Sequence, residues 1–319
     1  LKRAALAYVP AVAALFAMVN VVYYGVRDVF WNLGDVRAGA VVVPCYRRPS
    51  QLNYRNHMKM VIIDGESVYS GGMNMGQEYI DGGRRFASWR DTSYRLTGPA
   101  VLPFLELFAA IWRLNRRSED LVSGYLPEAT PTIDPAAAVP IQVVHSSVST
   151  RFPANRDVFI VALLAARQRV WIQSPYFVPD EPLLTAMCVA ATSGVDVRLM
   201  IPCKPDHPFV YWATYSYVGD LLFAGARCYT YENGFLHSKG VMTDGKVSSY
   251  GTANMDIRSF ELNFEVNATI YDEAVTAELE QAFMNDLPHC RQITREDYKK
   301  RGLLTRIREQ GSRLLSPLL

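Results

Sequence analysis

The chain is short of net charge. Its 33 lysines and arginines meet 31 aspartates and glutamates, which leaves +2 over 319 residues. A protein built to grip nucleic-acid phosphates carries a broad cationic surface, so this balance argues against that class while leaving room for a local basic site. Paired cysteines are missing too. Cys45, Cys188, Cys203, Cys228 and Cys290 are odd in number and scattered without a CxxC pair. That excludes a disulfide framework or a cysteine zinc site and reads as reduced thiols in an intracellular compartment. No cluster of histidine, cysteine and carboxylate has metal-ligand spacing. Between Arg3 and Arg27 no charged residue occurs at all. Residues 4–25 therefore meet the length criterion for a membrane span. Pro10, Asn20 and the β-rich VNVVYYG (19–25) split the run into helix and strand, which favours two buried elements instead. The first residue is Leu1, not methionine, as at a cut start.

What the chain has in quantity is apolar material, half of all residues, enough for two domains or one double-sized one. From residue 19 onward strand-like and helix-like stretches alternate. MKMVIID (58–64) and SVYS (67–70) read as paired strands around Asp64-Gly65, and TSYRLTG (92–98) as another. Residues 99–117 read as an amphipathic helix with a basic end. Residues 119–140 hold four prolines and little periodicity, so they read as a linker. After it IQVVH, RVWIQ, VDVRLMIP and RCYTYE read as strands separated by helices. The expected fold class is α/β, built twice: a first half over 1–118 and a second over 141–319, each with a mostly parallel sheet covered on both faces by helices.

A repeat links the two halves. NHMKMVIIDGESVYSGGMNMGQEY aligns with LHSKGVMTDGKVSSYGTANMDIRSF in spacing throughout. His57 and His237 each precede a lysine by two positions (Lys59, Lys239) and an aspartate by seven (Asp64, Asp244). A glycine follows each aspartate (Gly65, Gly245), another glycine follows each histidine by fourteen (Gly71, Gly251), and an asparagine by seventeen (Asn74, Asn254). Residues two apart on a strand share a face, so each histidine points the same way as its lysine. Two such units facing each other would gather two imidazoles, two ammoniums and two amides on one pocket, which suits a phosphate. One imidazole can attack phosphorus while the other protonates the leaving oxygen. Each aspartate either orients an imidazole or fixes its turn.

The duplicated HxKxxxxD pattern resembles the signature of the phospholipase D superfamily. Within it the chain resembles bacterial cardiolipin synthases through NYRNHMK, GGMN and SWRDTSYRLTGPAV, then SPYFVPDEPLL, SGVDVRLMIPCKPD, GFLHSK, GTANMDIRSFELNFEV and the terminal SPLL. The likeness runs from about residue 40 to 319. It implies two halves packed with pseudo-twofold symmetry around one shared active site. It also implies phosphatidyl transfer between two phosphatidylglycerol molecules, giving cardiolipin and glycerol through a phosphatidyl-histidine. His57 would be the nucleophile and His237 the general acid and base. Lys59, Lys239, Asn74 and Asn254 would hold the phosphate, and Asp64 and Asp244 would support the histidines. No metal or organic cofactor, no nucleic acid and no obligatory protein partner is implied, and the catalytic part would face the cytoplasm at an anionic membrane surface. The chain departs from the family in a short first half, with 56 residues before His57 against about 95 between linker and His237, and in Met58 where arginine is common. Hydrolysis of a phosphodiester by the same residues, or an inactive membrane-associated scaffold, are the rival readings.

Four further features carry two readings each. SPYFVPDEPLL (174–184) is a headgroup pocket wall or a packed loop. The aromatics of FVYWATYSYVG (209–219) face acyl chains or a core. Arg84, Arg85 and Arg90 meet anionic headgroups or are solvated loop charges. Glu261 and Glu265 support the second motif from a neighbouring strand or are turn and edge charges.

Overall fold

The computed structural model describes residues 55–82, 85–116, 138–204 and 206–316, without the side chains of Asp81 and residues 113–116. The stretch 4–25, Cys45 and nearly all of the 119–140 linker lie outside these residues. The four cysteines among them, Cys188, Cys203, Cys228 and Cys290, are free thiols. None of the described helices is long and apolar enough to cross a membrane.

The first half begins with β1 (Arg55–Asn56), then the hairpin β2 (Met60–Ile63) and β3 (Ser67–Gly71). Asp64 and Gly65 at its turn both take positive φ, 53° and 69°, and the Glu66 amide donates to the Ile63 carbonyl at 3.0 Å. Positive φ at both central positions is what a type I′ turn demands, and Asp-Gly supplies it with little strain. A short helix α1 (Glu78–Asp81) and strand β4 (Trp89–Arg90) follow. Strand β5 (Ser93–Thr97) pairs antiparallel with β3, and α2 (Val101–Arg116) closes the half.

The second half runs β6 (Ile141–Ser146), α3 (Ala154–Ala165), β7 (Arg169–Gln173), β8 (Phe177–Val178), α4 (Glu181–Thr192), β9 (Asp196–Pro202), α5 (Pro208–Ala224) and β10 (Arg227–Tyr231). It continues with β11 (Phe235–Leu236), the hairpin β12 (Gly240–Thr243) and β13 (Val247–Gly251), β14 (Met255–Asp256), α6 (Ile257–Glu261) and β15 (Asn263–Ile270). Helix α7 (Glu273–Asp286), β16 (Cys290–Ile293), α8 (Arg295–Lys299) and α9 (Leu303–Leu314) complete it.

One large sheet has the order β1-β15-β13-β12-β7-β9-β10-β16, with β6 also paired to β15. The α/β class holds, but the expected parallel majority does not. Within this sheet, among the described residues, only β7-β9-β10 and β1-β15 run parallel, while β6-β15, β15-β13, β13-β12, β12-β7 and β10-β16 run antiparallel. The reason lies in the connections. Helices α4 and α5 bridge β7 to β9 and β9 to β10, which keeps those strands parallel, whereas the tight Asp-Gly turn of the repeated motif forces β12 and β13 antiparallel.

Two of the four buried apolar clusters among the described residues cover the sheet and join the halves. Helices α3, α4 and α5 cover one sheet face with Phe159, Leu163, Leu183, Met187 and Leu221 against Val170, Val197 and Leu199. The other core belongs to both halves: Val68, Leu96, Val101 and Phe104 of the first pack against Val266, Ala268 and Ile270 of β15. Burying each such side chain contributes roughly 1.5–3 kcal/mol, so the halves are welded rather than tethered.

Candidate active site

Each motif histidine follows a two-residue strand that has crossed to the opposite half. Strand β1 runs parallel to the start of β15, with Asn56 opposite Phe264, and the His57 amide donates to the Phe264 carbonyl at 3.0 Å. Strand β11 repeats this against β4, with Leu236 opposite Arg90, and the His237 amide donates to the Arg90 carbonyl at 2.8 Å. The residue after each accepting carbonyl is a carboxylate. Glu265 places its two oxygens 2.9 and 3.0 Å from His57 Nδ1, and Asp91 Oδ2 lies 2.7 Å from His237 Nδ1. Each histidine is therefore held at Nδ1 by the other half's carboxylate. The glycine that ends each hairpin makes this approach possible. A Cβ on Gly71, whose φ is +140°, would lie 2.5 Å from the Thr92 carbonyl oxygen, and one on Gly251 would lie 2.3 Å from that of Val266.

The lysines fold back onto the same centre. Lys59 Nζ donates to the His57 carbonyl at 2.7 Å, and Lys239 Nζ donates to the His237 carbonyl at 2.5 Å while lying 2.9 and 3.2 Å from the ring nitrogens. The charges of Lys59 and Lys239 act on both histidines and on each other, so the two motifs form one electrostatic cluster. Burial, the largest cause, lowers both ammoniums: Lys59 to about 7 and Lys239 to about 8, against the opposing pull of Glu265 and Asp91. Burial and then the charge of Lys239 lower His237 to about 3, while Asp91 pulls the other way. Burial also lowers His57, opposed by Glu265. For the two carboxyls burial acts upward, but it is outweighed by Lys239 and His237 at Asp91 and by His57 and Lys59 at Glu265, so both are held below their ordinary range. The resting site thus holds two neutral imidazoles, two carboxylates and two easily lost ammonium protons, that of Lys59 leaving at about pH 7 and that of Lys239 at about 8. A neutral imidazole anchored at Nδ1 by a carboxylate offers the Nε2 lone pair as nucleophile or base.

The halves are not equivalent at this point. The His57 imidazole is 28% exposed and that of His237 only 6%. His237 sits in an aromatic box, its ring centroid 5.4 Å from Trp89, 5.8 Å from Tyr79 and 6.1 Å from Phe235, and the Tyr79 hydroxyl is 2.8 Å from Nδ1. Among the described residues no group of three or more histidine, cysteine and carboxylate side chains is placed to hold a metal.

The structure thus gathers four of the eight expected site residues: His57, Lys59, His237 and Lys239. The support expected of Asp64 and Asp244 is corrected. Both stand at their hairpin turns with φ of 53°, and the imidazole partners are Glu265 and Asp91 instead. The Asp244 carboxylate accepts the backbone amides of Arg167, Gln168 and Arg169 at 2.7–2.8 Å, which pins the hairpin to the start of β7. Asp244→Ala is therefore expected to lower stability by about 1–3 kcal/mol, read as a fall in melting temperature of roughly 2–4 °C per kcal/mol, with turnover per folded molecule unchanged. Asn254 is buried and its side-chain oxygen has no hydrogen-bond partner among the described residues, whereas Asn74 is exposed. Glu265 serves the first motif rather than the second, and Glu261 is exposed. Arg90 is paired with Asp286 at 3.0 Å, and Arg85 donates to the Asp206 carbonyl at 3.0 Å. In SPYFVP, Tyr176 bonds the Asp206 carboxylate, which ties that loop to the segment before α5.

Asp91 and Tyr79 are what reading the chain missed. Asp91 lies 34 positions after His57 (91 − 57) and Glu265 28 after His237 (265 − 237). The six extra residues, in the stretch that contains α1, hide an equivalence that the ladders make plain: Gly71 is opposite Ser93 and Gly251 opposite Asn267, two residues beyond each carboxylate.

Residues 159–287 match the family model described as the PLD-like domain of cardiolipin synthase. The chain is 47% identical over 281 residues to the major cardiolipin synthase ClsA of Bacillus subtilis, covering 88% of this chain and 58% of that one. It is 46% identical over 269 residues to a cardiolipin synthase of Listeria welshimeri, covering 84% and 55%. The chain thus spans little more than half the length of these relatives. Among solved structures, phosphatidylserine synthase of Haemophilus influenzae superposes with a TM-score of 0.59 at 15% identity, over 83% of this chain and 71% of that one; at that identity the likeness concerns the fold alone. Residues 159–287 thus match a phospholipase D-like domain, and the likeness to cardiolipin synthases extends over most of this chain.

Proposed function

We propose that the protein is a phosphatidyl transferase that makes cardiolipin from two phosphatidylglycerol molecules at the cytoplasmic membrane. The observation that carries this reading is the exchange of carboxylates between halves, which leaves two Nδ1-anchored imidazoles around a doubly cationic centre; the names of the relatives supply the product, cardiolipin. In the first step His57 Nε2 attacks the phosphorus of one phosphatidylglycerol. The bond from phosphorus to the glycerol oxygen breaks, and His237, protonated as the phosphate arrives, gives its proton to that oxygen. In the second step His237 takes the proton from a headgroup hydroxyl of another phosphatidylglycerol, whose oxygen attacks phosphorus and breaks the bond to His57. Lys59 and Lys239 hold the oxyanion through both steps, with the amides of Asn74 and Asn254, the asparagines of the two repeats, as further donors when the phosphate is bound. Glu265 and Asp91 keep each imidazole in the tautomer the steps need.

Vesicles of phosphatidylglycerol incubated with the protein should yield cardiolipin and free glycerol, and EDTA should not slow the reaction because the lysines supply the positive charge. Phosphatidic acid as the sole product would make the enzyme a hydrolase, and no conversion by a folded protein would favour a scaffold.

The lysines also give a pH dependence with a definite sign. Only the ammonium form binds phosphate, and that form is lost as pH rises through about 7 at Lys59 and about 8 at Lys239. Above pH 8, kcat/KM should therefore fall by up to about tenfold per unit for each lysine that must be charged. A profile flat from pH 7 to 10 would remove the lysines from phosphate binding.

A further inference from the structure

Helix α9 is amphipathic in the reverse sense for a soluble fold. Leu303, Leu304, Ile307 and Leu314 are 74%, 61%, 58% and 84% exposed, and the spacing 303, 307, 314 puts three of them on one stripe. The buried side is polar, with Glu309 and Ser312 2% and 3% exposed and Glu309 bound to Arg301. Arg306 and Arg308 flank the stripe and are exposed, as are Lys299 and Lys300 just before it. From 299 to 316 the chain has six basic residues, and its one acidic residue, Glu309, is the buried one. An outward face of leucines and isoleucine bordered by cations is what interfacial helices present to a bilayer.

We propose that α9 is the surface by which this enzyme lies on an anionic phospholipid bilayer, its leucines and Ile307 entering the acyl boundary and its cations meeting lipid phosphates. Charge decides between occupants. A second copy laid on this face would set Arg306 and Arg308 against their own like, and residues 1–54 carry six basic side chains against two acidic ones, so both would be repelled where an anionic lipid is attracted. The placement suits the site. Arg308 lies over the Trp212 ring at 5.5 Å, Trp212 packs 5.5 Å from half-exposed Phe209, and the residues just before, Asp206 and His207, meet Tyr176. The charge of Asp206 is felt at Lys239. Contact through α9 would thus bring the site's own rim to the lipid surface. This rests on the reaction proposed above only in the choice of phosphatidylglycerol as the anionic lipid.

Ile307→Trp reports the contact directly. With phosphatidylcholine vesicles containing about 30% phosphatidylglycerol, the introduced indole, read as the difference from the parent chain, should shift to the blue and be quenched by lipids brominated on the acyl chain. Both effects should shrink in pure phosphatidylcholine and at high salt. In turnover, L303S/L304S/I307S should slow reaction of vesicle lipid at least about tenfold while leaving kcat/KM on monomeric short-chain phosphatidylglycerol within about twofold, and R306E/R308E should reproduce the loss. The proposal is overturned if the I307W indole is unquenched, if it is already blue-shifted without vesicles in a chain that sediments as a dimer, or if both multiple variants match the parent on vesicles. Absence of turnover on either lipid form by the parent would sink the reaction and leave the quenching result standing by itself.

Discussion

Alanine in place of His57 is expected to lower cardiolipin formation by at least ten-thousandfold, and alanine in place of His237 by about a thousandfold. The effects differ because the proposed steps give the two side chains different work. Without His57 there is no nitrogen to carry the phosphatidyl group, and a direct displacement would need a second lipid hydroxyl already in line. Without His237 the nucleophile survives, but the glycerol oxygen leaves unprotonated and the acceptor hydroxyl keeps its proton. The structural asymmetry favours this division: His57 keeps access to the solvent side, while His237 is enclosed by Tyr79, Trp89 and Phe235. The double variant should be hardly slower than His57→Ala alone, since residues acting in one sequence of steps do not contribute additively. Lipid chromatography with labelled phosphatidylglycerol checks all three. Losses of only a few-fold would place the chemistry elsewhere.

Glu265→Gln and Asp91→Asn are expected to cost a hundred- to ten-thousandfold in kcat, with KM changed far less. Each substitution keeps the size of the side chain and removes the charge that holds Nδ1–H. The amide can then face the ring with its NH2 group, which selects the tautomer whose proton sits on Nε2 and blocks the lone pair. The effect crosses between halves, so a change in the second half should disable the nucleophile of the first. Two controls separate this from simple damage. His57→Ala combined with Glu265→Gln should be no slower than His57→Ala, and the pH profile should move in a stated direction. Glu265 raises the Lys59 pKa against the downward push of burial; without its charge that pKa falls below about 7, and the falling limb of kcat/KM should shift to lower pH. A merely loosened fold would lower activity at every pH alike.

Much of this was readable from residues alone, and what was not has physical causes. His57, Lys59, His237 and Lys239 were legible because a repeat with fixed offsets survives in diverged apolar sequence. The hairpins were legible because Asp64-Gly65 and Asp244-Gly245 supply positive φ on both strands' behalf. The same aspartates misled for the same reason: a turn residue and an imidazole partner look alike in one dimension. The true partners depend on strands of only two residues, β1, β4 and β11, too short for any periodicity. Crossing strands leave no local signal, and the longer stretch before Asp91 removed the offset that would have matched it to Glu265. The parallel majority failed because helix and strand alternation describes β7, β9 and β10 but not the hairpin strands placed beside them.

The central claim, one composite site in which His57 carries the phosphatidyl group and His237 moves the proton, is tested most directly with a phosphatidyl ester of p-nitrophenol. That leaving group departs without a proton, so His237→Ala should release close to one equivalent of nitrophenolate per enzyme in a burst and then stall, with the phosphatidyl group mapped by mass to His57. His57→Ala should show no burst. A burst from His57→Ala, or an adduct mapped to His237, would contradict the account.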